Sequence, residues 1–312
     1  MAPGRSACSI RDRGPDDPQS APFRNREPDR RVVVTRAVGP QRIVCLTEEP
    51  TEVLYAIGAQ DRIVGISGFT VRPARARREK PKVSAFTSAK IGEILKLEPD
   101  FDVGFSDIQA DIARELIAAG IEVWISNHRS VAGILDYMRR LGALVGAAEA
   151  ADALARRAEE HIAQVEKAAS RLGRRPRVYF EEWDEPMISG IRWVAELIRS
   201  AGGDDVFPER AAQSLARHRI VADGSEVISR APDIIIGSWC GKKFRPGRVA
   251  ARPGWAEIPA VRDGQLHEVK SPLILQPGPA ALFDGLDALH RIIAAWAAPH
   301  GQASAGGAAA TR

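Results

Sequence analysis

Cysteine is scarce in this 312-residue chain: Cys8, Cys45 and Cys240 are the only three. An odd, sparse set gives neither a disulfide framework nor a four-ligand zinc spacing. Aromatic residues make up only 6%. No apolar run approaches the roughly 18 residues of a membrane-spanning helix. Charge of one sign is also missing. There are 44 Lys and Arg against 40 Asp and Glu. Residues 1–36 hold eight Arg and five acids, so the remainder is nearly neutral at 36 against 35. Such a balance gives no basic face for nucleic acid. The six histidines form no His-x-x-x-His or His-Glu-x-x-His pair, and neither a phosphate-cradling glycine loop nor a Gly-x-Ser-x-Gly elbow occurs. What is present is a hydrophobic fraction of 45%, enough for a large core and for two lobes.

Residues 1–40 mix prolines with Arg and Asp and show little apolar periodicity, which predicts a disordered leader. Its first 31 residues lack the 7–15 residue apolar stretch of a secretory signal, so a cytoplasmic location is expected, or a periplasmic one if the start lies elsewhere. Residues 300–312 are Gly- and Ala-rich and are expected to form a flexible tail. Between the ends, short β-branched runs alternate with helical patterns. Strands are predicted at 42–46, 62–67, 101–105 and 121–125, with helices over 50–58, 91–97, 108–119 and 131–144. Leu154, Ala158, Ile162, Val165, Ala169 and Leu172 then fall at spacings of three and four, a single amphipathic helix within 147–173. The alternation resumes with strands at 177–181, 233–238 and 266–269, a helix over 192–201 stopped by Gly202-Gly203, and a last helix over 279–298. The expected fold is α/β: an N-terminal lobe over 41–146 and a C-terminal lobe over 174–299, Rossmann-like with parallel sheets and joined by the long helix. The cleft between lobes is the expected ligand site.

Several stretches carry a family resemblance. Arg42–Glu52 opening into Leu54–Gly58, then Arg62–Ser67, resembles the start of the iron-complex/vitamin B12 class of ABC-transporter substrate-binding proteins. Ile94–Asp100 is similar to that family's helix-to-strand turn, and Pro232–Ile236 repeats it in the second half. Arg252–Gly264, Pro277–Pro279 and Asp284–Leu289 complete an ordered set over about residues 40–299, nearest to the vitamin B12-binding branch. The resemblance implies the class III periplasmic-binding-protein fold and a non-enzymatic carrier, expected as a monomer. Its cargo is a small-molecule metal chelate such as a corrinoid, held with no cofactor required and no metal ligated by the protein. The implied partner is an ABC permease.

Candidate ligand contacts sit where strands end. Phe69, Phe86 and Phe105 stand where aromatic residues line the cleft in the B12-binding branch, and flat apolar side chains suit a wide chelate. Glu181-Glu182-Trp183-Asp184-Glu185 follows a strand; four carboxylates in five residues require cations or solvent. Glu182, Trp183 and Asp184 are read as a ligand wall of acceptors around a stacking face. Trp193 begins a helix where the family presents a glycine-containing loop. Trp239 and Lys242, in Ser238–Lys243, are read as a stacking face and as a cation for the acidic stretch or for a ligand phosphate. His218-Arg219 lies where the family reaches into the cleft.

Exported family members present one glutamate per lobe to the permease. The matching positions here are Gly92 and Ser225, with Glu93 and Glu226 one residue later, about 100° around a helix. Two rivals remain. An iron-siderophore or haem carrier would suit an arginine-rich cleft; Arg72, Arg75, Arg77 and Arg78 cluster after the second strand, while the acidic stretch opposes a strongly anionic ligand. A cytoplasmic corrinoid-handling protein or enzyme would use Cys240 with Glu182 or Asp184.

Overall fold

Val, Ile and Phe in runs without polar alternation build strands that are covered on both faces. The computed structural model of the protein, which describes residues 39–298, shows this in its first sheet. That sheet is built from β1 (Ile43–Cys45), β2 (Ile63–Ser67), β3 (Lys82–Ser84), β4 (Phe101–Phe105) and β5 (Glu122–Ser126). All pairings are parallel, in the order β3-β2-β1-β4-β5. β1 and β4 are buried throughout. β3 was not foreseen: at three residues with an exposed lysine it carries little pattern. The leader and tail expectations fall on residues outside those described, apart from the first sheet's approach at Gly39-Pro40.

The second sheet comprises β6 (Arg177–Asp184), β7 (Met187–Ser189), β8 (Asp204–Asp205), β9 (Ile234–Gly237) and β10 (Leu266–Glu268). Its order is β10-β9-β6-β7, with β8 paired to β6. The expectation of a wholly parallel sheet is corrected here, because β7 runs antiparallel to β6. Only Glu185 and Pro186 join the two strands, a connection that permits a hairpin and is too short for a parallel crossover. Glu181 to Asp184 are therefore strand, and Glu185 lies in the turn.

The helix Ala148–Ala169 lies between the two sheets in the chain. Its 22 residues make a rod of about 33 Å. Ala151, Leu154, Ala155, Ala158, Val165 and Ala169 form its buried stripe, close to the predicted one. It packs on the helix Val131–Leu144 so closely that a Cβ on Gly142 would stand 2.1 Å from that of Ala151. One apolar core runs without interruption from Ile43, Val103 and Leu141 through Ala155 and Ala158 to Val178, Leu197 and Ile293. The last helix opens with a π turn, Ala281–Gly285, before its α segment Leu286–Ala297.

Further contacts tie the halves together. The His128 ring is stacked on Tyr137 at 4.3 Å and lies between Ser126 Oγ (2.7 Å from Nδ1) and the Pro277 carbonyl (2.8 Å from Nε2). A carbonyl only accepts, so Nε2 carries the proton and Nδ1 accepts from Ser126. Burial drives the pKa of His128 down to about 4, and the ring is neutral at pH 7. The Val131 N–H donates to Glu196 Oε2 at 2.7 Å, and the Ala280 N–H donates to Glu52 Oε2 at 3.1 Å. Arg72 bridges Glu52 and Asp284.

Candidate functional site

Between the sheets lies a cavity of about 260 Å³. From the first sheet it is lined by Phe86, after β3, by Phe105 to Ile108, after β4, and by Arg129, after β5. From the second come Glu182 on β6, Ile191 and Trp193 at the head of the helix Arg192–Ser200, and Ser214–Arg217 with Arg219. Carboxyl ends of parallel strands are where open α/β sheets take ligands.

Gln109 holds the first wall together. Its Oε1 accepts the Phe105 N–H at 3.0 Å, and its Nε2 donates to the carbonyls of Leu46 (3.2 Å) and Phe86 (3.3 Å). A Cβ on Gly104 would meet that Oε1 at 2.2 Å, so glycine is required there. A lone glutamine in a short 3₁₀ turn carries no sequence signal for this role.

Four of the expected residues share the cavity: Phe86, Phe105, Glu182 and Trp193. Two of them have their aromatic surfaces engaged within the protein. The Arg129 guanidinium lies 5.0 Å over the Phe105 ring, and Phe105 meets Trp193 edge-on at 6.3 Å. Trp193 is buried, and its indole N–H donates to the Ile274 carbonyl at 2.8 Å. The other five residues lie elsewhere. Phe69 is 54% exposed on the turn after β2 and is not part of the lining. The expected stacking face of Trp239 is corrected: the ring is buried edge-on to Phe244 at 5.1 Å, with its N–H on Glu181 Oε1 at 3.0 Å. Trp183 is half-buried, with the Lys242 ammonium 3.9 Å above its ring. Asp184 is buried and paired with Lys242 at 2.6 Å, so neither is a free ligand group.

A bulge explains how one strand serves two sides. Glu181 pairs with Ser189 and Trp183 with Ile188, which leaves Glu182 as the extra residue. Glu182 thereby turns toward the cavity, while Glu181 and Asp184 meet the cations of the opposite side. Each carboxylate of the acidic stretch has its own partner. Arg252 grips Glu181 through two bonds of 2.6 and 2.9 Å. Arg219 holds Glu182, Lys242 holds Asp184, and Arg248 reaches Glu185 at 3.2 Å. The partners come from 37 to 71 residues away in sequence, and no local pattern announces them. The sequence reading placed the cleft arginines after β2. Arg72 and Arg77 are instead spent on Glu52, Asp284 and the carbonyls of Gly68 and Thr70.

Glu93 is paired with Lys96 and Glu226 with Arg210, at 2.8 and 2.6 Å. Partial desolvation, with the Glu48 and Glu182 carboxylates behind it, raises the Cys240 pKa, the opposite of an activated nucleophile. Among the described residues no group of three or more His, Cys, Asp or Glu is placed to hold a metal ion, and no helix is long and apolar enough to cross a membrane.

Paired α/β lobes bridged by one rigid helix, with strand ends facing across a crevice, define a solute-binding protein of the class III type. The chain belongs to the periplasmic binding protein family, which matches it over residues 43–273. It is similar to the vitamin B12-binding protein of Vibrio parahaemolyticus, 24% identical over 250 residues, covering 78% of this chain and 86% of that one. An uncharacterized ABC transporter substrate-binding lipoprotein of Bacillus subtilis is 24% identical over 270 residues, covering 82% and 81%. Among solved structures, a possible iron-binding, periplasmic solute-binding protein from Staphylococcus epidermidis superposes with a TM-score of 0.70 at 20% identity, over 81% of this chain and 98% of the other. The periplasmic haem-binding protein RhuT of Roseiflexus sp. RS-1, in its apo form, does so with 0.68 at 22%, over 82% and 100%. The family and the lipoprotein relative overturn the expected cytoplasmic location and point outside the cytoplasmic membrane.

Proposed function

We propose that this protein captures a metal chelate of the corrinoid, haem or siderophore type in the inter-lobe cavity and hands it to an ABC importer, with a corrinoid as the leading candidate. The observation that carries this reading is the cavity itself, which takes its lining from the carboxyl ends of both sheets. Relatives named as vitamin B12-binding proteins support the corrinoid, and the solved haem-binding neighbour keeps haem beside it. The cavity of about 260 Å³ lies under the usual range for a drug-sized ligand, so a chelate of corrinoid size needs the cleft to widen or extends beyond it. The linking helix permits only a small rocking motion of this kind.

Isothermal titration with cyanocobalamin, cobinamide and haem tests the reading. A dissociation constant at or below about 1 µM for any of them supports it. Absence of heat for all three at about 50 µM protein overturns the corrinoid and haem readings.

A further inference from the structure

Phe69 and the arginine cluster after β2 stand outside the cavity, and together they form a feature of their own. Residues 68–82 carry six cations, Arg72, Arg75, Arg77, Arg78, Lys80 and Lys82, against one acid, Glu79. The body of the chain is nearly neutral, so this excess is local. Glu79 is turned to the Tyr55 hydroxyl, which donates to it at 2.6 Å. Arg72 pairs with Glu52 and Asp284. The other five cations form no ion pair among the described residues. Arg75 lies 4.9 Å over the Tyr55 ring, and Arg75, Arg77, Arg78 and Lys82 are all exposed. Two apolar side chains stand open in the same segment, Phe69 at 54% and Val71 at 38% exposure. The segment is held in shape from within. Arg77 Nη1 donates to the carbonyls of Gly68 (2.7 Å) and Thr70 (2.8 Å), on either side of Phe69, and Lys82 Nζ donates to the Arg77 carbonyl. Phe69, Arg77 and Lys82 are thereby neighbours, and docking through them orders little further chain.

We propose that this segment docks the protein on an anionic lipid bilayer, with Phe69 and Val71 entering the headgroup region and Arg75, Arg77, Arg78 and Lys82 meeting lipid phosphates. Unpaired cations around exposed apolar side chains suit such a surface. Each Lys or Arg near it adds attraction, apolar side chains enter the interface, and the aliphatic stems of the cations lie along it. An acidic protein face fits less well, because two apolar side chains are few against the roughly 800 Å² per partner that a stable protein interface buries. A location outside the cytoplasmic membrane, to which the family and the lipoprotein relative point, puts lipid headgroups within reach. The docking is independent of which chelate fills the cavity, since no residue of the segment lines it.

Co-sedimentation of the full chain with lipid vesicles tests this. Vesicles of phosphatidylcholine alone are compared with an equal mixture of phosphatidylcholine and phosphatidylglycerol. The proteins are the native chain, Phe69→Ser and the double variant Arg75→Gln/Arg78→Gln. Phe69 is exposed and neither arginine holds a carboxylate, so both variants keep the fold, which thermal melts check. Residues 1–36, with their eight Arg, are present in all three proteins, so any attraction they add is common to all. The native chain is expected to partition onto the mixed vesicles about tenfold more strongly than onto the neutral ones. The double variant is expected to lose about tenfold or more of its partition onto the mixed vesicles, one cation being worth about fivefold. Phe69→Ser is expected to lose about fivefold. Absence of any preference for the mixed vesicles in the native chain refutes the proposal and leaves an acidic protein face as the partner of these cations. Partition that is undiminished in either variant refutes it as well, because the attraction then comes from elsewhere in the chain.

Discussion

At the scale of single residues, two buried titratable groups set opposite pH dependences. His128 titrates near 4 in the folded protein against an ordinary 6.5. Its contribution is complete above pH 6.5 and is lost as pH falls from there toward 4, by at most about 3 kcal/mol. Glu49 behaves in the reverse sense. Burial, opposed by the hydrogen bond from Thr47, pushes its pKa up to about 8. The folded state holds this proton more tightly than the unfolded chain does, so stability drains away as pH climbs from about 4.5 to 8. The two windows overlap from about pH 4.5 to 6.5, where the opposite slopes cancel, so the expected stability maximum is a plateau there. Glu49→Gln keeps an acceptor for Thr47 and removes the alkaline loss. Urea titrations at pH 6 and pH 8.5 should show the variant's advantage over the native protein larger by about 2 kcal/mol or more at the higher pH. An equal gain at both would refute the assignment.

At the scale of elements, the contact between Val131–Leu144 and Ala148–Ala169 depends on a missing side chain. A methyl on Gly142 would stand 2.1 Å from the Ala151 Cβ, where the last turn of one helix is held against the first turn of the next by a three-residue connection. Gly142→Ala should therefore destabilise by about 2 kcal/mol, although alanine is the better helix former. Gly92 supplies the control. It lies in the helix Ile91–Lys96 with nothing within 4 Å of a built Cβ, so Gly92→Ala should be neutral or gain a few tenths. Thermal melts of the two variants decide the matter. Elements of this kind were mostly legible beforehand. β4 and the helix Val131–Leu144 lie where the alternate Phe101, Val103 and Phe105 and the 3.6-residue spacing put them. The hairpin of β6 and β7 was hidden, because Glu182, Trp183 and Asp184 read as a ligand wall beyond a strand ending at Glu181. Glu181, Glu182 and Asp184 are tolerated in a strand only through Arg252, Arg219 and Lys242, which arrive from distant segments. Charge neutralised at long range leaves no local trace. For the same reason Arg129 and Arg217 went unrecognised, and Arg219 was marked only through the family resemblance, while the aromatic residues around them were marked.

At the scale of the whole molecule, one core serves both sheets. Residues from β1, β2 and β4, from the linking helix and from β6 and β9 belong to one apolar cluster, with Trp124 of β5 packed against it. Calorimetry should show a single cooperative transition, with the van't Hoff and calorimetric enthalpies in agreement. Two resolved transitions would mean that the lobes melt independently. A second consequence concerns dissection. The rod from Ala148 to Ala169 gives one flank to Val131–Leu144 and another to Leu286–Ala297, so cutting the gene on either side of it strips greasy surface from both products. Neither fragment is then a native-like minimal binder, and biosensors built from this scaffold will need their reporter inserted into a surface turn of the intact polypeptide rather than at a split between halves.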